Sequence, residues 1–418
     1  MIHHIISILF FMLAWLVAPV APSPVHSPKP LNVFKTDFTG KPVKLSVNVI
    51  KANQGDELDF WMDACDSVLQ YGQSKISVMH IGDSHIQADY FSGRMRELLQ
   101  YSFGNGGRGL VFPYRIAKTN NPDNYKVHWT GEWANCKNVN YSKVGDMGIC
   151  GVSVTTKDSL AGFILNPSFN SLFNYDFKRV KLFSKISTDA LNYVLRNDTL
   201  SMGSFIPEEF DNTCTWLSFD SYQQKFVLGF KPVDTLSREF EFYGMSLEND
   251  SAGLLYHAAG INGAEYFSWN RCNLLQSQMK QLAPHLVIIS LGANEGFNRQ
   301  YSDAVLRENA SKLIDLVRQA NLDASILITL PGESWYRKRA PIKRHIEVRR
   351  VLNEVAAEKH CAVWDLYAVM GGPGSMRKWQ KRKLTARDMV HYNAPGYRLQ
   401  GELLYSALMD YYIKNRKK

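Results

Sequence analysis

The sequence predicts an α/β protein, a three-layer parallel sheet covered on both faces, interrupted by an inserted all-β sandwich. Two observations predict it. Near-continuous apolar runs of strand length alternate with helical periodicity before residue 113 and after residue 251, as strands buried on both faces require. From about Tyr114 to Asn249 helical periodicity nearly vanishes, and short alternating runs separated by Asn, Asp, Ser and Gly clusters replace it. A length of 418 residues allows two domains, and 45% hydrophobic residues with 9 Trp, 20 Tyr and 22 Phe exclude a disordered chain.

Residues 1–21 read as an export signal. Ile5 to Val17 is apolar but short for a membrane span, and small residues follow at Ala18-Pro19-Val20-Ala21. A periplasmic or secreted protein with no stable membrane insertion after cleavage is expected. His3 and His4 replace the usual Lys or Arg, so an uncleaved anchor is the competing reading. Residues 22–50 read as a Pro-rich linker running into a first strand, Val43 to Ile50. Residues 51–113 and 251–418 then form the α/β domain, and residues 114–250 the β insertion.

Within the α/β part, Leu58, Trp61, Met62, Cys65, Val68 and Leu69 recur at helical spacing. The run Ile76 to Ile81 is a strand ending in Gly82-Asp83-Ser84, with a helical pattern from Gln87 to about Gln100. The glycine-rich stretch Phe103 to Pro113 lacks the Lys-Ser/Thr ending of a P-loop and reads as a loop shaping a cleft wall. In the insertion, 151–156, 179–183, 225–230 and 239–244 read as strands. Trp129, Trp133 and Trp216 are either sugar-stacking or core residues. Further strands follow at 254–260, 285–291, 325–330 and 362–366, with helices between them and a C-terminal helix from Gly396 to Ile413.

The net charge of +9 is spread along the chain apart from short basic runs at 335–339 and 377–383 and in the tail. It favours an anionic polymer as partner; no nucleic-acid motif accompanies it, and no nucleic acid is expected. Six Cys occur without Cys-x-x-Cys pairs, which argues against zinc and redox motifs; Cys136 and Cys150 are the nearest candidate pair.

Chemistry concentrates at strand ends, where parallel sheets bind ligands. Ser84 stands at a strand-to-helix corner, where backbone N–H groups are free to meet a negative charge. Gly263 and Asn294 follow two other strands, and Asp388 precedes His391 by three residues. A serine needs a base, and His391 is the candidate, with Asp388 to orient its ring. The N–H groups of Ser84 and Gly263 and the side chain of Asn294 are candidate oxyanion donors. Each part alone has a plainer reading: Asp83 and Ser84 as helix caps, Gly263 and Asn294 as turn residues, His391 as a surface histidine. Asp365 is an alternative orienting acid, and His80 and His85 show no metal-ligand spacing.

These blocks resemble those of SGNH/GDSL-type hydrolases. Gly82-Asp83-Ser84 resembles the first block, Gly263 the second, Gly292-Ala293-Asn294-Glu295 the third and Asp388-Met389-Val390-His391 the fifth. Glu295 departs from the usual Asp, and Gly260 competes with Gly263. The resemblance covers about residues 72–113 and 252–415. It implies a flavodoxin-like sheet, a Ser84–His391–Asp388 triad and no metal or organic cofactor. More narrowly, His80 to His85, the Gly-rich loop, Gly260 to Ala264 and the β insertion are similar to peptidoglycan O-acetylesterases. That implies a periplasmic esterase acting on an acetylated cell-wall glycan, with the insertion as a carbohydrate-binding module. An esterase on acetylxylan, another glycan or a lipid, and a non-catalytic glycan binder on a hydrolase scaffold, are the alternatives.

Overall fold

A computed structural model describes residues 29–167, 172–186, 192–194, 214–231 and 239–416; the expected export signal lies outside them. Five parallel strands form the central sheet, in the spatial order Gly253–Gly260, Lys75–Gly82, Leu286–Ser290, Ser325–Leu330, Ala362–Asp365. In sequence terms this is 2-1-3-4-5, the flavodoxin-like doubly wound order, whose ligand crevice opens between the first and third strands.

The period of two along Lys75–Gly82 divides its side chains between two cores. Ile76 and Val78 face helices Asp59–Tyr71, Tyr90–Phe103 and Ala394–Asn415. Met79 and Ile81 face helices Leu275–Leu282, Asp303–Ala320 and His345–Glu358. The second core continues into the insertion through Phe112, Phe163 and Phe242.

The insertion holds two antiparallel sheets. One has the order Tyr125–Thr130, Gly162–Pro167, Phe226–Lys231, Asn192–Val194; the other, Ala134–Lys137, Val152–Thr156, Phe240–Glu248, Phe177–Ile186, Cys214–Gln223. Phe163 of the first meets Phe242 of the second edge to face at 5.3 Å.

Several expectations need correction. Val43–Ile50 forms no strand: a 3₁₀ turn spans Leu45–Val47, and only Lys51 bridges to Val363. The segment spends its polar groups elsewhere, Lys44 N–H on Val369 and the Asn48 amide on Leu403, so it straps the sheet rather than extending it. The Gly-rich stretch is not a loop throughout. Gly107–Val111 is a strand that pairs antiparallel with Phe240–Glu248, so the antiparallel sheet starts before residue 114. Cys136 and Cys150 are both free thiols. Cys136 packs against Gly145, whereas the Cys150 sulfur packs against Gly244.

Candidate active site

The register sets three strand ends level. Gly82 lies opposite Gly260 on one side and Ser290 on the other, so the loops that follow converge at the switch point. Gly82 and Gly260 are required by close approach: a Cβ on Gly82 would sit 2.2 Å from Ile86 Cγ1, and one on Gly260 2.5 Å from the Gln87 nitrogen. The nucleophile turn therefore lies directly over the neighbouring strand.

Asp83 caps a single helical turn, Ser84–Gln87. Its Oδ1 accepts from His85 N–H at 2.8 Å, and its carbonyl accepts from Ile86 and Gln87. The single helix expected from Gln87 is instead broken at Asp89, which adopts φ +56° before helix Tyr90–Phe103. A buried ion cluster holds that strained residue. Both Asp89 oxygens accept from Arg96 at 3.0 Å, and Oδ2 accepts from Arg108 and Asn124 at 2.7 Å each. Burial works against the Asp89 charge, but the two guanidinium groups hold its carboxyl well below the usual range. Arg108 lies on the strand paired into the insertion and Arg96 on the helix after the nucleophile, so Asp89 fastens module to site.

Ser84 Oγ–H donates to His391 Nε2 at 2.9 Å, and His391 Nδ1–H donates to Asp388 Oδ2 at 2.7 Å. Asp388 Oδ1 accepts the backbone N–H groups of Val390 and His391, both at 2.9 Å. Partial burial raises the Asp388 carboxyl, but the ring and the two backbone N–H groups prevail and hold it below its ordinary value. Thus the carboxylate fixes the ring's tautomer with the bare Nε2 toward Ser84. The alternative acid, Asp365, is engaged elsewhere: it pairs with Arg349 and caps Ala368 N–H.

Asn294 bridges the switch point. Its Nδ2 donates to Asp83 Oδ2 at 3.1 Å and to the Ala264 carbonyl at 2.9 Å. Both amide hydrogens are thus occupied, and any donation to a substrate requires one of them to be released. Gly263 follows the neighbouring strand with φ +82° and open space where a Cβ would stand. Among the described residues, no hydrogen bond takes up the N–H of Ser84 or of Gly263. Gly260, the other candidate for the second block, ends strand Gly253–Gly260 and packs against the Ser84 turn.

Burial shifts several neighbouring titratable groups toward their neutral forms. His80 is enclosed between Tyr256 Oη at 2.7 Å and Ser290 Oγ at 2.6 Å, and burial drives its pKa down to about 3. His85, also at about 3 through burial, lies 5.3 Å from the His391 ring and meets Tyr397 Oη at 2.9 Å. Burial pushes Asp83 up to about 7 and Glu295 up to about 8. Glu333 is buried and accepts from Gly374 and Met376 N–H, fixing the loop before helix Ser375–Lys381. Among the described residues no cluster of His, Cys, Asp or Glu is arranged to hold a metal ion, and no helix is long and apolar enough to cross a membrane.

Sequence reasoning missed the roles of Asp89 and Gln87. Gln87 is buried in the nucleophile turn. Its Oε1 accepts from Asn262 N–H at 2.7 Å, while its Nε2 donates to Thr119 Oγ1 at 2.9 Å and to the Asn120 carbonyl at 2.8 Å. It therefore ties the Gly263 loop to the insertion. Only the three-residue spacing from Ser84, less than one helical turn, hinted at it.

The 2-1-3-4-5 sheet brings a hydroxyl, an imidazole and a carboxylate together, and comparison with known proteins makes the chain a carboxylic ester hydrolase of the SGNH type. The chain carries a GDSL-like lipase/acylhydrolase domain, matched by that family's model over residues 234–399. The match includes Gly263, Asn294 and His391 and begins after Ser84. A solved peptidoglycan O-acetylesterase superposes with a TM-score of 0.69 at 25% identity, over 85% of this chain and 96% of that one. An acetyl xylan esterase matches with a TM-score of 0.30 at 18% identity, over 38% of this chain and 82% of that one. No curated protein matches by sequence.

Proposed function

We propose that this esterase removes O-acetyl groups from a cell-envelope glycan, peptidoglycan, outside the cytoplasm, through an acyl-enzyme on Ser84. The observation that carries the reading is the continuous line from Ser84 Oγ through the His391 ring to Asp388, at 2.9 and 2.7 Å. The extensive overlay on a peptidoglycan O-acetylesterase supports the choice of substrate.

The chemistry follows from the atoms. Ser84 Oγ attacks the acetyl carbonyl as its proton passes to His391 Nε2, and Asp388 stabilises the imidazolium. The carbonyl oxygen becomes an anion, received by the N–H groups of Ser84 and Gly263 and by Asn294 Nδ2, which exchanges Asp83 for it. On collapse the sugar oxygen leaves with the proton from His391. Water, deprotonated by the same ring, then attacks the acyl-enzyme, and His391 returns that proton to Ser84 Oγ as acetate leaves.

The test is acetate release from O-acetylated peptidoglycan beside acetylated xylan, with wild type and Ser84→Ala. Release from peptidoglycan that depends on Ser84 is expected. Preference for xylan overturns the wall-glycan reading, and turnover that survives Ser84→Ala overturns the nucleophile.

A further inference from the structure

Beside the Ser84 turn an open cleft of about 660 Å³ runs between the Ala88–Tyr90 segment and the insertion. Its walls include Ala88 and Tyr90, next to the nucleophile turn, and Arg115, Lys118, Asn120 and Trp129 from the insertion side. Ala88 is four residues from Ser84, about 6 Å along a helix. The cleft therefore borders the turn that carries Ser84.

The two cations project from one rigid turn. Lys118 N–H donates to the Arg115 carbonyl at 3.0 Å, Thr119 N–H donates to the Tyr114 carbonyl at 3.2 Å, and Lys118 holds φ +54°. Ile116 and Ala117 are buried beneath, and Gln87 grips Thr119 and Asn120 from the nucleophile turn. Arg115 and Lys118 are themselves exposed, and neither joins an ion pair among the described residues. The cleft's one carboxylate, Asp123, already accepts from Tyr90 Oη. Trp129 adds a large aromatic face, 45% exposed, on strand Tyr125–Thr130.

Two free cations and an aromatic platform at the threshold of an esterase site match a sugar ring that carries an anionic group. We infer that this cleft is a subsite for carboxylate-bearing units of the acetylated glycan, with Arg115 and Lys118 binding the carboxylate and Trp129 covering a ring face. The inference rests on the esterase reading above and narrows its substrate to acidic polymers. It also gives the insertion a task, since Trp129 and the turn both belong to that side of the cleft.

The test compares kcat/KM on three polymers of matched acetyl content: O-acetylated peptidoglycan, acetylated pectin and neutral acetylated glucomannan. Wild type favours an acidic polymer, and its KM there rises as NaCl goes from about 20 to about 500 mM, because exposed charge pairs are screened. In the doubly substituted Arg115→Gln/Lys118→Gln enzyme the acidic-to-neutral ratio falls about 5- to 20-fold, with the salt dependence flattened. Arg115→Glu/Lys118→Glu lowers the ratio further, and Lys312→Gln, on the distant helix Asp303–Ala320, does not change it. A fall seen only with peptidoglycan identifies peptide carboxylates as the anion, and one seen only with pectin identifies ring carboxylates; either supports the subsite. A ratio unmoved by both double substitutions overturns it, as does a wild type indifferent to polymer charge. Binding separates this from failure of the esterase reading. Ser84→Ala protein cosediments with peptidoglycan sacculi, and adding Arg115→Gln/Lys118→Gln abolishes that whatever becomes of turnover; equal cosedimentation refutes the subsite.

Discussion

Replacing Asp388 by Asn tests the site more sharply than removing the side chain, because the surrounding backbone dictates how the amide must sit. In the native enzyme Oδ1 accepts two backbone N–H groups, from Val390 and His391, and Oδ2 accepts from His391 Nδ1. Two donors pin the amide oxygen at the Oδ1 position, so the NH₂ group faces the imidazole. The ring must then present a bare Nδ1, which places its proton on Nε2, opposite Ser84 Oγ. That tautomer cannot accept the serine proton.

An orienting carboxylate in a fully buried triad is worth about 10⁴ in kcat when changed to the amide. Here the Asp388 side chain is 49% exposed and that of His391 38%, so water replaces part of the lost charge stabilisation. At close range the Coulomb term is about 1 kcal/mol in water and about 4 at an effective dielectric near 20, which brackets losses of about 5- to 10³-fold. The tautomer penalty adds to this in Asp388→Asn and is absent in Asp388→Ala, where the ring is free to turn. We therefore expect kcat/KM to fall about 10³-fold in Asp388→Asn and about 10²-fold in Asp388→Ala, with melting temperatures close to wild type. Steady-state release of p-nitrophenol from its acetate ester, beside a thermal melt, reads both. An Asp388→Asn enzyme that keeps a tenth of wild-type activity, or outperforms Asp388→Ala, refutes the geometric argument.

Asn294→Ala should lower kcat by about 10²–10³ with a smaller change in KM, since one oxyanion donor is lost; an effect confined to KM would show that the amide serves only Asp83 and Ala264. Asp89→Asn leaves the buried Arg96 and Arg108 without their anion, and urea or thermal denaturation should register a loss of about 3–5 kcal/mol; a change within experimental error would mean water neutralises the cluster. Burial raises Glu295 to about 8, above its unfolded value of 4.5. Its stabilising contribution is complete below pH 4.5 and is lost as pH climbs through 8. Wild type should therefore lose melting temperature between pH 5 and 8.5 more steeply than Glu295→Gln, and parallel curves would contradict the burial argument.

Much of the site could be read from residue types because each has a local signature. A strand that ends in Gly-Asp-Ser, an Asn after the third parallel strand and an Asp three residues before a His all announce themselves by spacing. The Asp388–His391 pair is the clearest case, since only two residues lie between the carboxylate and the imidazole that it can reach. Periodicity likewise separated the parallel strands from the antiparallel insertion. Asp89 was different. Its position suits a first-turn helix acid, and its actual work depends on Arg108 and Asn124, which reach it from beyond the helix. Gly107–Val111 was misjudged for a related reason: its partner Phe240–Glu248 lies more than a hundred residues away, and a glycine-rich strand shows little alternation.

What local chemistry decides, the order of residues discloses: which strongly periodic segments are strands and where a turn must have glycine. Folding in three dimensions settled three other things. It selected Asp388 over Asp365 by pairing the latter with Arg349, and it tied both hydrogens of Asn294 to Asp83 and Ala264. It also set Arg115, Lys118 and Trp129 in one cleft with Ala88 and Tyr90, next to the turn that carries Ser84. Each depends on contacts between segments whose separation along the chain carries no record of their distance in space, because long-range partners are chosen by packing of the whole core and not by their neighbours in sequence.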